Sequence, residues 1–264
     1  MKSLKPFLDS KVLQYNEPSF IKDDPLGIPH RFTKKQDIEI AGFFAAILAW
    51  GNRKSIINSC DKLLGLMGHA PYDFIMQVDF DNDGHKLAAF KKFVHRTFNE
   101  SDLWHLLHFL HYHYAVKGEA SLETAFTIGM LPGDKTIENA LIGFHEYVFG
   151  YDENANEEKH CRKHIATPSK KSACKRLNMY LRWMVRDDEN GVDFGIWKTI
   201  AKSQLICPID VHVSRVAKKL NLLNRNQNDW QSALELTAYL RTLDENDPVK
   251  YDFALFGLGV MEQY

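Results

Sequence analysis

Apolar residues recur along most of this chain at the three-to-four-residue spacing of helices, and no stretch alternates polar and apolar positions for long enough to predict a strand. The densest run starts at Asp37, where Ile38, Ile40, Ala41, Phe43, Phe44, Ala45, Ile47, Leu48 and Trp50 leave little polar surface. A helix apolar on most sides belongs at the centre of a core. Gly51-Asn52 ends it, and an amphipathic helix follows from about Arg53 to Met67 through Ile56, Ile57, Cys60, Leu63 and Leu64. Helical periodicity continues over 71–77, 84–98, 101–117, 119–128 and 136–149, with stops at Gly68-His69-Ala70-Pro71 and Pro132-Gly133-Asp134. Residues 1–35, interrupted by Pro6, Pro18, Pro25 and Pro29, predict an arm or cap with one short helix. The fold class is all-α.

An acidic, Asn-containing stretch from Asp152 to Glu158 reads as a linker. It divides the chain into a first helical lobe over 36–150 and a second built from 151–264 together with 1–35. Beyond it a helix starts at Ser169 or Thr167-Pro168, with Ala173, Leu177, Leu181, Met184 and Val185 on its apolar positions. A short helix over Gly191–Ile200 follows. Pro208 stops the chain, Asp210 is a good N-cap, and Val213, Val216, Ala217 and Leu220 form one buried face at i, i+3, i+4, i+7. Asn228-Asp229-Trp230 caps a further helix to Arg241, and Asp247-Pro248 starts a last one through Phe253, Leu255 and Phe256. Gly257 and Gly259 within it admit close approach by another backbone or a ligand.

Charge sharpens one part of this picture. The 264 residues carry a formal net charge of −1, so any nucleic-acid binding has to come from a local patch. Lys159, Arg162, Lys163, Lys170, Lys171, Lys175, Arg176, Arg182 and Arg186 form such a block with no Asp or Glu among them. A patch of this kind suits phosphate contact, which gains affinity by releasing counterions. The N-terminus has no long apolar run or small-residue cleavage site and nothing later reaches a membrane span, which predicts a soluble, cytoplasmic protein. Cys60, Cys161, Cys174 and Cys207 form no CxxC pair, so reduced, structural cysteines are expected. His105, His108, His111 and His113 lie in a Leu/Phe/Tyr-rich segment and read as packing residues; His160-Cys161-x-x-His164 also lacks a completing carboxylate or thiolate. No metal is expected at either. Trp50, Trp183 and Trp197 read as core residues.

Pro208-Ile209-Asp210-Val211-His212-Val213, with Arg215-Val216-Ala217, closely resembles the segment of the helix-hairpin-helix DNA glycosylases, such as 8-oxoguanine glycosylase and endonuclease III, that opens a helix beside the active site. Two further stretches are similar in the same order. Phe44–Trp50 resembles the family's early core helix, with Trp50-Gly51-Asn52 where a glutamine pair is usual, and Phe253–Met261 resembles the helix before the iron–sulfur loop. The chain stops there, so the cluster cysteines and that cofactor are absent from the resemblance. The family's Leu-Pro-Gly-x-Gly hairpin is missing too: residues 165–175 contain no glycine, and Leu131-Pro132-Gly133 reads as an ordinary turn. The chain as a whole also resembles a group of uncharacterised bacterial proteins.

The resemblance implies a two-lobed helical fold with a cleft between the lobes and removal of a damaged base, oxidised guanine being one candidate, with an associated lyase step. It makes Asp210 the catalytic carboxylate and Lys175 or Lys171 the Schiff-base amine. Phosphate contacts fall to Lys163, Lys170, Arg176, Arg182, Arg186, His212 and Arg215, and the substrate pocket to Trp50, Asn52, Phe256 and Gly257. Damaged duplex DNA is the expected partner, with no cofactor and no obligate protein partner. Asp210 as a plain N-cap remains open on the residues alone. So do a nucleic-acid-binding module that has lost the reaction and a helical domain whose basic block meets an acidic protein.

Overall fold

The computed structural model of the chain describes residues 4–80, 82–151 and 160–264. The predicted linker Asp152–Glu158 lies outside them. All regular elements among the described residues are helical, in the order α1 (Leu4–Tyr15), α2 (Lys35–Ile47), α3 (Arg53–Leu66), α4 (Pro71–Gln77), α5 (Gly84–Leu87) and α6 (Glu100–His111). Then come α7 (Glu123–Thr127), α8 (Glu138–Gly150), α9 (Lys175–Val185), α10 (Val211–Lys219), α11 (Trp230–Leu243) and α12 (Tyr251–Val260). None of these helices is long and apolar enough to cross a membrane.

The chain forms two compact units, one of Asp23–Gly129 and Gly143–Ile165, the other of Met1–Lys22, Met130–Ile142 and Ala166–Tyr264. These boundaries depart from those predicted by charge, for local reasons. Residues 130–142 belong with the second unit because the Ile137 N–H donates to Gln204 O at 3.1 Å and Gln204 Nε2 donates to Asp134 O at 2.8 Å. Residues 160–165 belong with the first, where His145 Nδ1 donates to Ile165 O at 2.7 Å.

In the first unit α2 is buried from Asp37 to Ile47, as its all-round apolar pattern predicts. Its fully buried acid, Glu39, accepts from Tyr114 Oη at 2.8 Å, from the Leu122 N–H at 3.2 Å and from Ser121 Oγ, so its carboxylate is fully served. Asn52 Oδ1 caps α3 through the Lys54 N–H at 3.0 Å.

In the second unit α12 packs on α1 and α10. The contact needs glycine: a Cβ on Gly257 would sit 2.2 Å from Tyr15 Cδ2, and one on Gly259 3.1 Å from His212 Cβ. Gly257→Ala is therefore expected to cost about 1–3 kcal/mol through overpacking, read as a lower midpoint of urea unfolding. An unchanged midpoint would contradict the seating of the Tyr15 ring.

Two predicted helices in this unit are corrected. The helix expected from residue 167 or 169 begins only at Lys175, because Lys171 (φ 59°) and Cys174 (φ 50°) take left-handed backbone that an α-helix cannot include. Gly191–Ile200 is not helical. Its N–H groups pair instead with the carbonyls left open at the end of α9, Phe194 with Trp183 O at 2.7 Å and Trp197 with Met184 O at 2.9 Å.

Candidate active site

Asp210 is held by the chain on both sides of it. Before it, the Cys207 N–H donates to Thr237 Oγ1 of α11 at 3.0 Å; after it, Val213, Val216 and Ala217 bury the inner face of α10. Asp210 itself is extended, and Oδ1 accepts from the N–H groups of His212 and Val213, each at 2.9 Å. The N-cap reading is thus correct, but it occupies only one carboxylate oxygen. The other, Oδ2, lies 3.8 Å from Lys175 Nζ, the first residue of α9.

The structure therefore brings together the carboxylate and one of the two amines named from the sequence. At 3.8 Å the pair is an ion pair too long to be a hydrogen bond, so the amine is near the carboxylate without being locked to it. Side-chain exposures of 30% for Lys175 and 21% for Asp210 leave the pair reachable yet partly desolvated. Lys171 is exposed, and its carbonyl accepts from the Trp230 N–H at 3.1 Å.

A buried charge cluster, not foreseen from the sequence, lies within electrostatic reach of the pair. Arg182 donates through Nη1 to Asp252 Oδ2 at 2.5 Å and through Nε to Asp193 Oδ1 at 3.3 Å. Arg186 donates to Asp247 Oδ2 at 2.9 Å, Asp188 Oδ2 at 2.7 Å and Asp193 Oδ2 at 3.0 Å. The Phe253 ring lies 4.2 Å from the Arg182 guanidinium carbon. Burial pushes the Asp252 carboxyl up to about 6 against the pull of Arg182, with Asp210 raising and Lys175 lowering it. Cys207, also buried, has its thiol pushed well up, and burial takes Cys174 to about 12; neither has the accessible thiolate of a nucleophile.

This cluster corrects the basic block. Arg182 and Arg186, expected to touch phosphate, are 5% and 3% exposed and are neutralised inside the protein. Their acids, Asp188, Asp193, Asp247 and Asp252, all follow the block in sequence, which is why a window ending at Arg186 looked purely cationic. Lys170, Lys171 and Arg215 remain exposed, and Arg176 and His212 are partly so. Arg215 Nη2 donates to Gly259 O at 2.6 Å, tying α10 to the last turn of α12. Lys163 is exposed but belongs to the first unit.

Of the residues assigned to a pocket, Phe256 and Gly257 belong to the unit that holds the pair. The space over Gly257 is filled by Tyr15, which corrects its assignment, and Phe256 is partly buried on the same helix. Trp50 and Asn52 lie in the first unit, where the Trp50 ring faces the Arg96 guanidinium, 5.1 Å from its centroid, and Asn52 is the cap of α3. Trp183 and Trp197 are core residues, as expected.

The four histidines of α6 and the turn after it point to different partners. His105 donates to Val148 O at 2.9 Å, His108 stacks on Phe80 with centroids 3.8 Å apart, His111 donates to Ile75 O at 2.8 Å and His113 to Ser121 O at 3.0 Å. His160 and His164 are another matter. The carboxylate missing from their sequence neighbourhood comes from Asp102, 58 residues away from His160, whose Nδ1 lies 2.7 Å from Asp102 Oδ1. His164 Nε2 lies 3.3 Å from Asp102 Oδ2.

The model of the family described as "Protein of unknown function (DUF2400)" matches residues 24–261. No curated protein and no solved structure matches the chain.

Proposed function

The chain belongs to this family of unknown function, and we propose that it is a DNA glycosylase-like enzyme that removes a damaged base and forms a covalent imine with the sugar. The observation that carries the reading is the 3.8 Å approach of Lys175 Nζ to Asp210 Oδ2. The resemblance around Pro208–Val213 supplies the reaction class.

In this reading a damaged nucleotide is turned out of the duplex so that its C1′ meets the amine. The Asp210 carboxylate takes a proton from the Lys175 ammonium, and the freed amine attacks C1′. The bond from C1′ to the base breaks, the electron pair leaves with the base, and the departing base takes up the proton. Positive charge on the sugar is stabilised by the Asp210 carboxylate. The amine-linked sugar opens to a Schiff base as O4′ takes the amine proton, and loss of a C2′ proton to the freed Asp210 carboxylate, with departure of the 3′ phosphate, forms the C2′–C3′ double bond and cuts the strand. Lys175 is preferred to Lys171 because only Lys175 is paired with the carboxylate.

The turn before α9 supports the reading as well. The glycine-free stretch that corresponds to the hairpin of the resembled glycosylases still places two residues, Lys171 and Cys174, in left-handed backbone. Lys170, Lys171 and Arg215 supply exposed cations for phosphate, and damaged duplex DNA is the proposed partner.

The test uses duplexes carrying single lesions, 8-oxoguanine first, in the presence of borohydride. A reduced covalent adduct is expected with one lesion at least, lost in Lys175→Ala and retained in Lys171→Ala. Duplex binding that falls steeply with salt, with no base released from any lesion, would replace this reading with a binding module of the same fold. Absence of duplex binding would favour a protein-interaction domain.

A further inference from the structure

We propose that Asp102, His160 and His164 form a binding site for one divalent transition-metal ion of the zinc class, independent of the Lys175–Asp210 pair. Two segments far apart in sequence converge to make it. Asp102 lies in the first turn of α6, and His160 and His164 flank a single 3₁₀ turn over Cys161–Lys163, one carboxylate facing two imidazoles.

The donor atoms of the three residues lie within 4.8 Å of one another. Adjacent ligands about 2.0–2.2 Å from one tetrahedral ion stand about 3.4 Å apart, so the ion would replace the direct 2.7 Å His160–Asp102 hydrogen bond with a small adjustment of the set. The His160 side chain, 45% exposed, has the freedom to make it.

The other two ligands are held in place by their surroundings, as metal ligands are. The Asp102 carboxylate is oriented by a capping box: its Oδ2 accepts from the Asn99 N–H at 2.9 Å while Asn99 Oδ1 accepts from the Asp102 N–H at 3.3 Å. The His164 ring packs against Phe98 and Trp50, with centroids 5.0 and 6.1 Å away. Asp102 is 0% and His164 2% exposed, so the ion would sit at the end of a buried pair with His160 closing it from the solvent side.

Two nitrogens and one carboxylate favour a first-row transition ion over Mg²⁺ or Ca²⁺, which take oxygen ligands. Three protein ligands leave at least one coordination position open, as in zinc sites that hold water or substrate. Cys161 does not join the set: its Sγ is directed at the Asp102 backbone carbonyl, 3.7 Å away. Lys163 opposes the ion, since its Nζ lies 2.5 Å from His160 Nε2 and adds positive charge beside the site. Being exposed, it can swing away.

The experiment is calorimetric titration of the whole 264-residue chain, stripped with a chelator, with Zn²⁺, repeated with Co²⁺ and followed by visible absorption. One saturable ion per chain is expected, together with a rise in melting temperature on adding Zn²⁺. Loss of even a group behind a metal ligand weakens binding by about 10–100-fold, so His160→Ala, at a half-exposed position, should weaken it by more than about 100-fold. Its metal-free melting temperature should stay near that of the parent. Asp102→Asn should weaken binding similarly, and Lys163→Ala should tighten it. Absence of saturable binding in the parent, or one ion bound as tightly by His160→Ala as by the parent, overturns the site.

Discussion

Asp210→Asn is expected to slow base release by about 10²–10⁴-fold, the range for loss of a positioned proton acceptor, while leaving the unfolding free energy within about 0.5 kcal/mol of the parent. The two effects separate because the two carboxylate oxygens do different things. Oδ1 accepts from the His212 and Val213 N–H groups, and an asparagine oxygen does this as well, Asn and Asp being equally good N-caps. Oδ2 faces Lys175, and there the amide brings neither negative charge nor a site for its proton. Asp210→Ala removes both functions and should cost about 1 kcal/mol of stability besides. Single-turnover base release and urea unfolding on the three proteins check this. Undiminished release by the Asn variant would remove Asp210 from the chemistry, whatever the fate of the cap.

Arg186→Ala should destabilise the protein by about 3–5 kcal/mol, the cost of stripping one partner from a buried ion pair. Asp188, Asp193 and Asp247 all accept hydrogen bonds from this one guanidinium, and its loss leaves carboxylates in the interior with Arg182 as the remaining buried cation among them. Arg186→Lys should not restore the loss, because an ammonium cannot reproduce the planar fork that serves three acceptors. Lys170→Ala, sixteen residues earlier and exposed, should change stability by less than about 0.5 kcal/mol. The same block of positive charge thus contains two populations. Denaturant midpoints should separate them sharply, and equal midpoints for Arg186→Ala and Lys170→Ala would contradict the buried cluster.

That division marks where sequence reasoning stopped short. Helices α2, α3, α10 and α11 were legible because each carries an unbroken apolar period, and the last two also a recognisable cap, Asp210 or Asp229. The start of α9 was misplaced because the obstacle is a pair of left-handed residues, Lys171 and Cys174, and neither is a glycine that would announce it. Gly191–Ile200 had helical spacing, but its backbone donors are taken by α9 carbonyls, a tertiary contact that outweighs propensity. At the candidate site, Asp210 was named from its context and Lys175 as a residue inside the basic helix, whereas Lys175 is the first residue of α9. The carboxylates around Arg182 and Arg186, and Asp102 beside His160 and His164, were not legible. These groups are distant along the chain, and only folding makes them neighbours.

The central claim is that Lys175, standing beside Asp210, is the amine that becomes joined to the sugar. Borohydride reduction during reaction with a lesion-bearing duplex, followed by peptide mass mapping of the adduct, tests it most directly. The account predicts a single modified residue, Lys175, and no adduct in Asp210→Asn above about one hundredth of the parent rate. A modification mapped to Lys171 or to any other amine, or no adduct with any lesion, would contradict it.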